Sequence, residues 1–138
     1  MTPAEVKQVL FVCLGNTCRS PMAEGFANKY GSDVVRATSA GLSPVETVIR
    51  ETVMIMDEVG IDISGHVPMW YQPLAVARYD IVVNMSGFRL PGKPPRELIE
   101  WKVEDPYKKS AAVYRRVRAE IEASVMQLIL RIRRGQRT

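Results

Sequence analysis

An apolar run that stops at a turn and is followed at once by a helix start is the feature that most constrains how this chain can fold. Residues 8–13 form the run and are typical of a buried strand. Gly15 and Asn16 follow, and both residue types accept the positive φ that a tight turn requires. Ser20 and Pro21 then predict a helix, with Ser20 as its N-cap and Pro21 at its first position. The sequence thus predicts a strand, a tight loop and a helix in direct succession.

The rest of the chain alternates between strand and helix patterns. Strands are predicted over residues 34–40, 81–84 and 99–103, and helices over residues 44–59 and along the last part of the chain. The last helix shows an apolar stripe at helical spacing. Strands that alternate with helices predict an α/β fold in which a parallel sheet lies between helices. No repeat or linker interrupts the pattern, so we expect one domain over residues 1–138.

The loop from Cys13 to Ser20 has the composition of an anion-binding site. A tight turn before a helix N-terminus directs main-chain N–H groups toward one point, where they bind an anion. The residues between the two ends of the loop are Leu14, Gly15, Asn16, Thr17, Cys18 and Arg19. The Arg19 guanidinium can hold two oxygens of a phosphate at once. We expect the same N–H dipoles to ionise Cys13 as a nucleophile, with the Ser20 hydroxyl donating to its sulfur.

Phosphate transfer to Cys13 expels an oxygen leaving group, which needs a proton from a nearby acid. The candidate carboxyl groups belong to Asp62, Asp80, Glu104 and Asp105. Asp105 is best placed, because it follows the fourth predicted strand and parallel strands end at the same edge of a sheet. The structural alternatives are that Cys13 only ends a core strand, that Ser20 only caps a helix and that Asp105 only forms a turn with the following proline.

Composition and charge exclude several classes of protein. Two cysteines are too few for a secreted disulfide framework, and the only histidine, His66, is far from both, so no metal site is predicted. The net charge of +4 comes largely from arginines of the last helix and tail, which lack the interleaved aromatic residues of a nucleic-acid site. The apolar stretch at residues 9–14 is too short for a signal peptide or a membrane span. We therefore expect a cytoplasmic protein that binds neither nucleic acid nor membrane.

Four segments resemble the low-molecular-weight protein tyrosine phosphatase family, together with the arsenate reductases built on the same scaffold. They are VLFVCLGNTCRSPMAE at residues 9–24, TSAG at 38–41, GIDISGH at 60–66 and DPY at 105–107. This resemblance spans nearly the whole chain. It implies a phosphotyrosine phosphatase I-like fold, which is a three-layer sandwich with a four-stranded parallel sheet flanked by helices, and it implies no metal and no organic cofactor.

The resemblance also implies catalytic roles. Cys13 would carry a phosphocysteine intermediate, Arg19 would bind the phosphate, and Asp105 would act as general acid and base. Cys18 has two interpretations, either as small packing beside the loop or as the partner of Cys13 in a reversible disulfide.

Further positions match residues that support the family's loop and substrate. Asn16, Ser39 and His66 correspond to a hydrogen-bonded support that holds the loop in shape. Tyr107 follows the expected acid and corresponds to the family's aromatic substrate contact.

These residues together predict hydrolysis of a phosphomonoester, with a phosphotyrosine protein or a small aryl phosphate as substrate. One segment departs from the phosphatases, because residues 42–47 contain no aromatic residue to line a phosphotyrosine slot. This segment and residues 101–106 resemble the thioredoxin-coupled arsenate reductases. Those enzymes pass electrons through further cysteines, but Asn84, Met85 and Ser86 stand where that relay begins.

The alternative function is therefore an arsenate reductase that uses an external thiol donor. A third hypothesis is a non-catalytic protein that binds phosphorylated partners, against which the full set of catalytic residue types argues.

Overall fold

The computed structural model describes residues 5–136, so the ends of the expected domain, residues 1–4 and 137–138, lie outside the described residues. The strands are β1 (Lys7–Cys13), β2 (Val35–Gly41), β3 (Ile81–Asn84) and β4 (Leu98–Glu100), and the α-helices are α1 (Arg19–Tyr30), α2 (Arg50–Asp57) and α3 (Ala111–Gly135), with a 3₁₀ helix at Pro73–Arg78. None of the helices in this part of the chain is long and apolar enough to cross a membrane.

The four strands form one parallel sheet in the order β2-β1-β3-β4. Successive residues of a strand point to opposite faces. Val9 and Phe11 of β1 therefore belong to the core on one face of the sheet, and Leu10 and Val12 belong to the core on the other. Both faces of β1 are buried, which is why its sequence is apolar almost without interruption.

Helical layers cover both faces of the sheet. On one face, Phe26 of α1, Met56 of α2 and Ile121 of α3 are completely buried in the larger core. On the other face, Tyr71 and Val76 of the segment around the 3₁₀ helix pack against the sheet. The predicted α/β sandwich with a four-stranded parallel sheet is confirmed.

The helix predicted over residues 44–59 is wrong in its first part, because α2 begins only at Arg50. The amides of Leu42, Ser43 and Val45 donate instead to the carbonyls of residues 13–15, at 2.8 to 3.1 Å. The Ile49 amide, which a helix from residue 44 would direct to the Val45 carbonyl, donates to Thr17 Oγ1 of the loop at 2.8 Å. An N–H group that serves the loop cannot also serve a helix. Residues 42–49 therefore stay irregular and lie against the loop that follows β1.

The strand predicted over residues 99–103 is also too long, since β4 ends at Glu100. The amide of Trp101 still donates to the carbonyl of Asn84 at the end of β3, at 3.0 Å. The carbonyl of Val103 accepts a hydrogen bond from Arg19 at 3.1 Å, and so it joins the functional loop rather than the sheet.

Candidate active site

The loop of residues 13–20 lies at the carboxyl edge of the sheet, between β1 and α1. Asn16 turns the chain with a φ of 51°, a left-handed conformation that Asn adopts more readily than most residues. Gly41 at the end of β2 packs directly against the loop. A Cβ atom at this position would be 2.7 Å from the Leu14 carbonyl oxygen and 2.9 Å from the Asn16 amide nitrogen. The loop can take its shape because β2 ends in a residue without a side chain.

The Cys13 thiol is buried and lies beside a hydroxyl group. Its side chain is 2% exposed, and Cys13 Sγ is 2.9 Å from Ser20 Oγ. The prediction of Ser20 as the helix N-cap is wrong, because α1 begins at Arg19 with Cys18 in the cap position and without a side-chain cap. The Ser20 hydroxyl faces the thiol instead. A hydrogen bond donated to sulfur favours the thiolate over the thiol.

The Asn16 side chain connects the loop to two other segments. Its Nδ2 donates to Ser20 Oγ and to Ser39 Oγ, both at 2.9 Å, and its Oδ1 accepts from the Met69 amide at 2.8 Å. His66 Nε2 lies 3.0 Å from the Asn16 carbonyl oxygen. The structure therefore brings together the three residues that the resemblance assigns to loop support. Among residues 5–136, no cluster of His, Cys, Asp or Glu is placed to hold a metal ion.

Glu24 extends this network, a role that was not predicted from the sequence. Ser39 Oγ donates to Glu24 Oε1 at 2.5 Å, so a chain of hydrogen bonds runs from Glu24 through Ser39 and Asn16 to Ser20 beside the thiol. The signal was present in the sequence. Glu24 follows Ser20 by one helical turn, and residues four apart lie on the same face of a helix.

Arg19 is held in place by two carbonyl groups from distant parts of the chain. Its Nη1 donates to the carbonyl oxygens of Met85, at 2.5 Å, and Val103, at 3.1 Å. Its Nη2 lies 3.6 Å from Asp105 Oδ2, a weak pairing because the Asp105 side chain is 44% exposed. Its Nε is buried and has no hydrogen-bond partner among the described residues. A buried donor without a partner is costly, and one oxygen of a bound oxyanion would satisfy it.

Most of the predicted site residues line a cavity of about 260 Å³. Its walls are formed by Cys13, Leu14, Gly15, Thr17, Cys18, Arg19, Ser43, Val45, Asp105 and Tyr107. Asp105 and Tyr107 reach it from the segment after β4, where Asp105 Oδ1 accepts from the Tyr107 amide at 3.1 Å. The predicted nucleophile, anion-binding arginine, acid and aromatic contact therefore line one small space.

Cys18 is buried, with 3% exposure, although it forms part of the wall of the active-site cavity. Its Sγ accepts from Thr52 Oγ1 at 3.4 Å and lies 3.8 Å from the Tyr114 hydroxyl. Burial raises the pKa of the Cys18 thiol to about 11, so this thiol is protonated at neutral pH. Both cysteines are free, and the contacts of Cys18 are those of a packed side chain; its disulfide with Cys13 stays a prediction.

Sequence comparison relates the chain to phosphatases and to reductases. Residues 8–90 match the model of the low molecular weight phosphotyrosine protein phosphatase family. The glutaredoxin arsenate reductase of Synechocystis sp. is 39% identical over 132 residues, which cover 92% of this chain and 99% of that protein. An arsenate reductase of Halalkalibacterium halodurans is 37% identical over 125 residues, covering 83% of this chain and 89% of the relative.

Solved structures give the same two groups. A structure described as an arsenate reductase in the phosphate binding state aligns with a TM-score of 0.84 and 37% identity, covering 92% of this chain and 99% of the other. A low molecular weight protein tyrosine phosphatase from T. tengcongensis aligns with a TM-score of 0.78 and 30% identity, covering 91% of this chain and 99% of the other.

Proposed function

This chain belongs to the low molecular weight phosphotyrosine protein phosphatase family, a family of cysteine-based enzymes, and we propose that within it the chain is an arsenate reductase that takes electrons from an external thiol. The observation that carries the proposal is the 39% identity to the Synechocystis reductase over 92% of the chain. Two free, buried thiols also suit a reducing compartment, so the proposal places the protein in the cytoplasm.

The expectation that the chain is a protein tyrosine phosphatase is wrong. The curated relatives that match it at 33–39% identity are arsenate reductases. The loop motif could not separate the two activities, because arsenate and phosphate are both tetrahedral oxyanions and bind the same N–H groups and guanidinium. The cavity wall does differ from a phosphotyrosine slot, since Ser43 and Val45 stand in a segment that has no aromatic residue.

In the proposed reaction the loop and Arg19 hold the arsenate over Cys13. The buried Nε of Arg19 and the neighbouring Nη2 would donate to two arsenate oxygens, as a guanidinium does with planar pairs of acceptors. The Cys13 thiolate, stabilised by the Ser20 hydroxyl, attacks arsenic. A sulfur–arsenic bond forms, an arsenic–oxygen bond breaks, and the oxygen leaves as water with a proton from Asp105.

Reduction requires a second sulfur atom. The donor thiolate attacks Cys13 Sγ, so that a disulfide forms and the sulfur–arsenic bond breaks. Its electron pair stays on arsenic, which changes from the +5 to the +3 state and leaves as arsenite. A second donor thiol then attacks the mixed disulfide, which returns the Cys13 thiolate and releases the oxidised donor. Two thiols lose two electrons in total, and arsenic gains two.

The donor has to be external because the chain offers no second reactive thiol. Residues 84–86 occupy the place where a relay would begin, and they form a fixed turn in which Asn84 Oδ1 accepts from both the amide and the hydroxyl of Ser86. Asn84 is 1% exposed. The other thiol, Cys18, is protonated at neutral pH.

The test is the formation of arsenite from arsenate by the purified protein with an excess of glutathione or dithiothreitol, measured by chromatography with arsenic-specific detection. We expect arsenite that requires both protein and thiol. Cys13→Ser will abolish it, and Asp105→Asn will lower kcat by roughly 10² to 10⁴, the range of general acid catalysis. Asp57→Asn, which changes an exposed carboxylate of α2, is the matched control and will leave kcat unchanged.

Two results would overturn the proposal. One is the absence of arsenite with glutathione, dithiothreitol and a reconstituted glutaredoxin system alike. The other is a Cys13→Ser protein that forms arsenite as fast as the wild type.

A further inference from the structure

A groove lies beside the active-site cavity, and we propose that it binds the electron donor, a small thiol that carries both a carboxylate and an ammonium group. We call it the donor groove. This inference rests on the proposed function. The donor groove has a volume of about 420 Å³. It is lined by Ile49, Glu51, Tyr107, Lys108, Lys109 and Tyr114. Its volume lies within the usual range of sites that take small organic molecules.

The donor groove is next to the reacting sulfur. Tyr107 forms part of the wall of both the donor groove and the active-site cavity that contains Cys13. The Tyr107 side chain is 49% exposed, so it separates the two spaces without closing either. A thiol whose polar end lies in the donor groove can therefore extend past Tyr107 toward Cys13.

The walls of the donor groove carry opposite charges that no ion pair within the described residues neutralises. Among the described residues, Lys108 makes no ion pair, and its ammonium lies 5.4 Å from the centre of the Tyr107 ring. Lys109 by contrast is paired with Glu104 at 2.5 Å. Glu51, on the α2 side of the groove, likewise has no ion pair within residues 5–136.

The position of Lys108 is fixed by the main chain. Its φ is 61°, a conformation that most residues avoid. The turn around it is closed by the Lys109 amide, which donates to the Pro106 carbonyl at 2.9 Å, and by the Tyr107 amide, which donates to Asp105 Oδ1. The Lys108 side chain therefore extends from the same turn that carries the proposed acid.

The base of the donor groove is neutral. Burial, with the nearby Cys18 and the Glu51 carboxylate adding to it, raises the pKa of the Tyr114 phenol, which therefore stays protonated. Counting only residues 5–136, the groove thus presents one cation and one anion that make no ion pair, and two phenol rings. A zwitterionic thiol matches this pattern: its carboxylate faces Lys108, its ammonium faces Glu51, and its sulfur points to the shared wall. A neutral thiol gains nothing from either charge.

The experiment compares glutathione with the uncharged thiol 2-mercaptoethanol as donor for arsenite formation. In the Lys108→Glu protein we expect KM for glutathione to rise about tenfold while KM for 2-mercaptoethanol stays within twofold of wild type, because one exposed charge contact of moderate strength becomes a repulsion. Lys93→Glu, the same charge change at a lysine outside the groove, is the matched control and will leave both constants unchanged. Glu51→Gln is expected to raise KM for glutathione about threefold.

A second measurement tests the groove without turnover. The Cys13→Ser protein is titrated with S-methylglutathione, and we expect amide chemical-shift changes at residues 107–109 and 51. In the double variant that carries both Cys13→Ser and Lys108→Glu, we expect these changes to be lost. Shifts that are absent from these residues, or that survive Lys108→Glu, overturn the inference. An equal change in KM for both thiols, or turnover with a glutaredoxin but not with glutathione, overturns it as well. If no donor gives arsenite but the shifts appear, the groove stands and only the proposed reductase function fails.

Discussion

Replacement of Gly41 by alanine will damage catalysis more than it damages folding. The added Cβ would meet the Leu14 carbonyl oxygen at 2.7 Å and the Asn16 amide nitrogen at 2.9 Å. Both are main-chain atoms of the anion-binding loop, so neither can turn away as a flexible side chain could. An ordinary contact needs about 3.4 Å, so the loop has to move by roughly 0.7 Å.

The expected loss follows from that displacement. A shift of about 1 Å in a catalytic group can cost on the order of 10²-fold in rate, so we expect kcat/KM for arsenate to fall by roughly 30- to 100-fold. Overpacking of this kind costs about 1–3 kcal/mol of folding free energy. The melting temperature should therefore fall by roughly 3–10 °C, and the protein should remain folded at the assay temperature because typical stabilities are about 5–15 kcal/mol.

Gly65→Ala is the control for this prediction, because a Cβ at Gly65 would meet no atom within 4 Å. We expect it to leave both kcat/KM and the melting temperature close to those of the wild type. The assays are arsenite formation at 25 °C and thermal unfolding by circular dichroism. A Gly41→Ala protein whose kcat/KM lies within twofold of the wild type would refute the argument that β2 shapes the loop.

Three further changes test other parts of the site and fold. Cys18→Ser will keep kcat with glutathione within about threefold of wild type, because a thiol held protonated by burial transfers no electrons; a 100-fold loss with an unchanged melting temperature would contradict this. Glu24→Gln will lower kcat/KM roughly fivefold, since a neutral acceptor for the Ser39 hydroxyl is weaker by about 1 kcal/mol than a charged one. Steady-state kinetics measures this change, and an unaffected kcat/KM would contradict the prediction. Glu58→Gln will destabilise the protein at pH 7. Hydrogen bonds from Arg115, which have the largest effect, and from Arg118 lower the pKa of Glu58 from its usual 4.5 to about 2. This stabilisation is complete above pH 4.5 and is lost as the pH falls toward 2, so the difference in melting temperature between variant and wild type should shrink from pH 7 to pH 3; a constant difference would count against the assignment.

The sequence predicted the parts of the site whose structure is decided locally. The strand before Cys13 and the turn at Asn16 depend on residue types that favour these conformations wherever they occur. The parallel sheet then places Asp105 at the same edge, and the structure shows its carboxylate 3.6 Å from Arg19. The start of α2 could not be predicted in this way. Residues 44–49 are compatible with a helix on their own. In the folded protein the Thr17 hydroxyl of the loop accepts the hydrogen bond of the Ile49 amide, which such a helix would need.

The choice between a phosphate ester and arsenate as substrate could not be predicted, for a different physical reason. The loop recognises the shape and charge of a tetrahedral oxyanion, and those are shared by the two candidate substrates. The difference between hydrolysis and reduction lies in what attacks afterwards, water or sulfur, and no residue of the loop encodes that choice.

The two carbonyl groups that hold Arg19 have a consequence for binding. An arginine side chain normally loses about 2 kcal/mol of rotational freedom when a ligand immobilises it. Here Met85 and Val103 of the chain itself already fix the guanidinium, so this entropy is lost during folding rather than at each encounter. Little of the binding free energy of the anion is therefore spent on ordering Arg19. Phosphate gains from the same rigid site, so cellular phosphate, which is usually far more abundant than arsenate, will compete with arsenate for it.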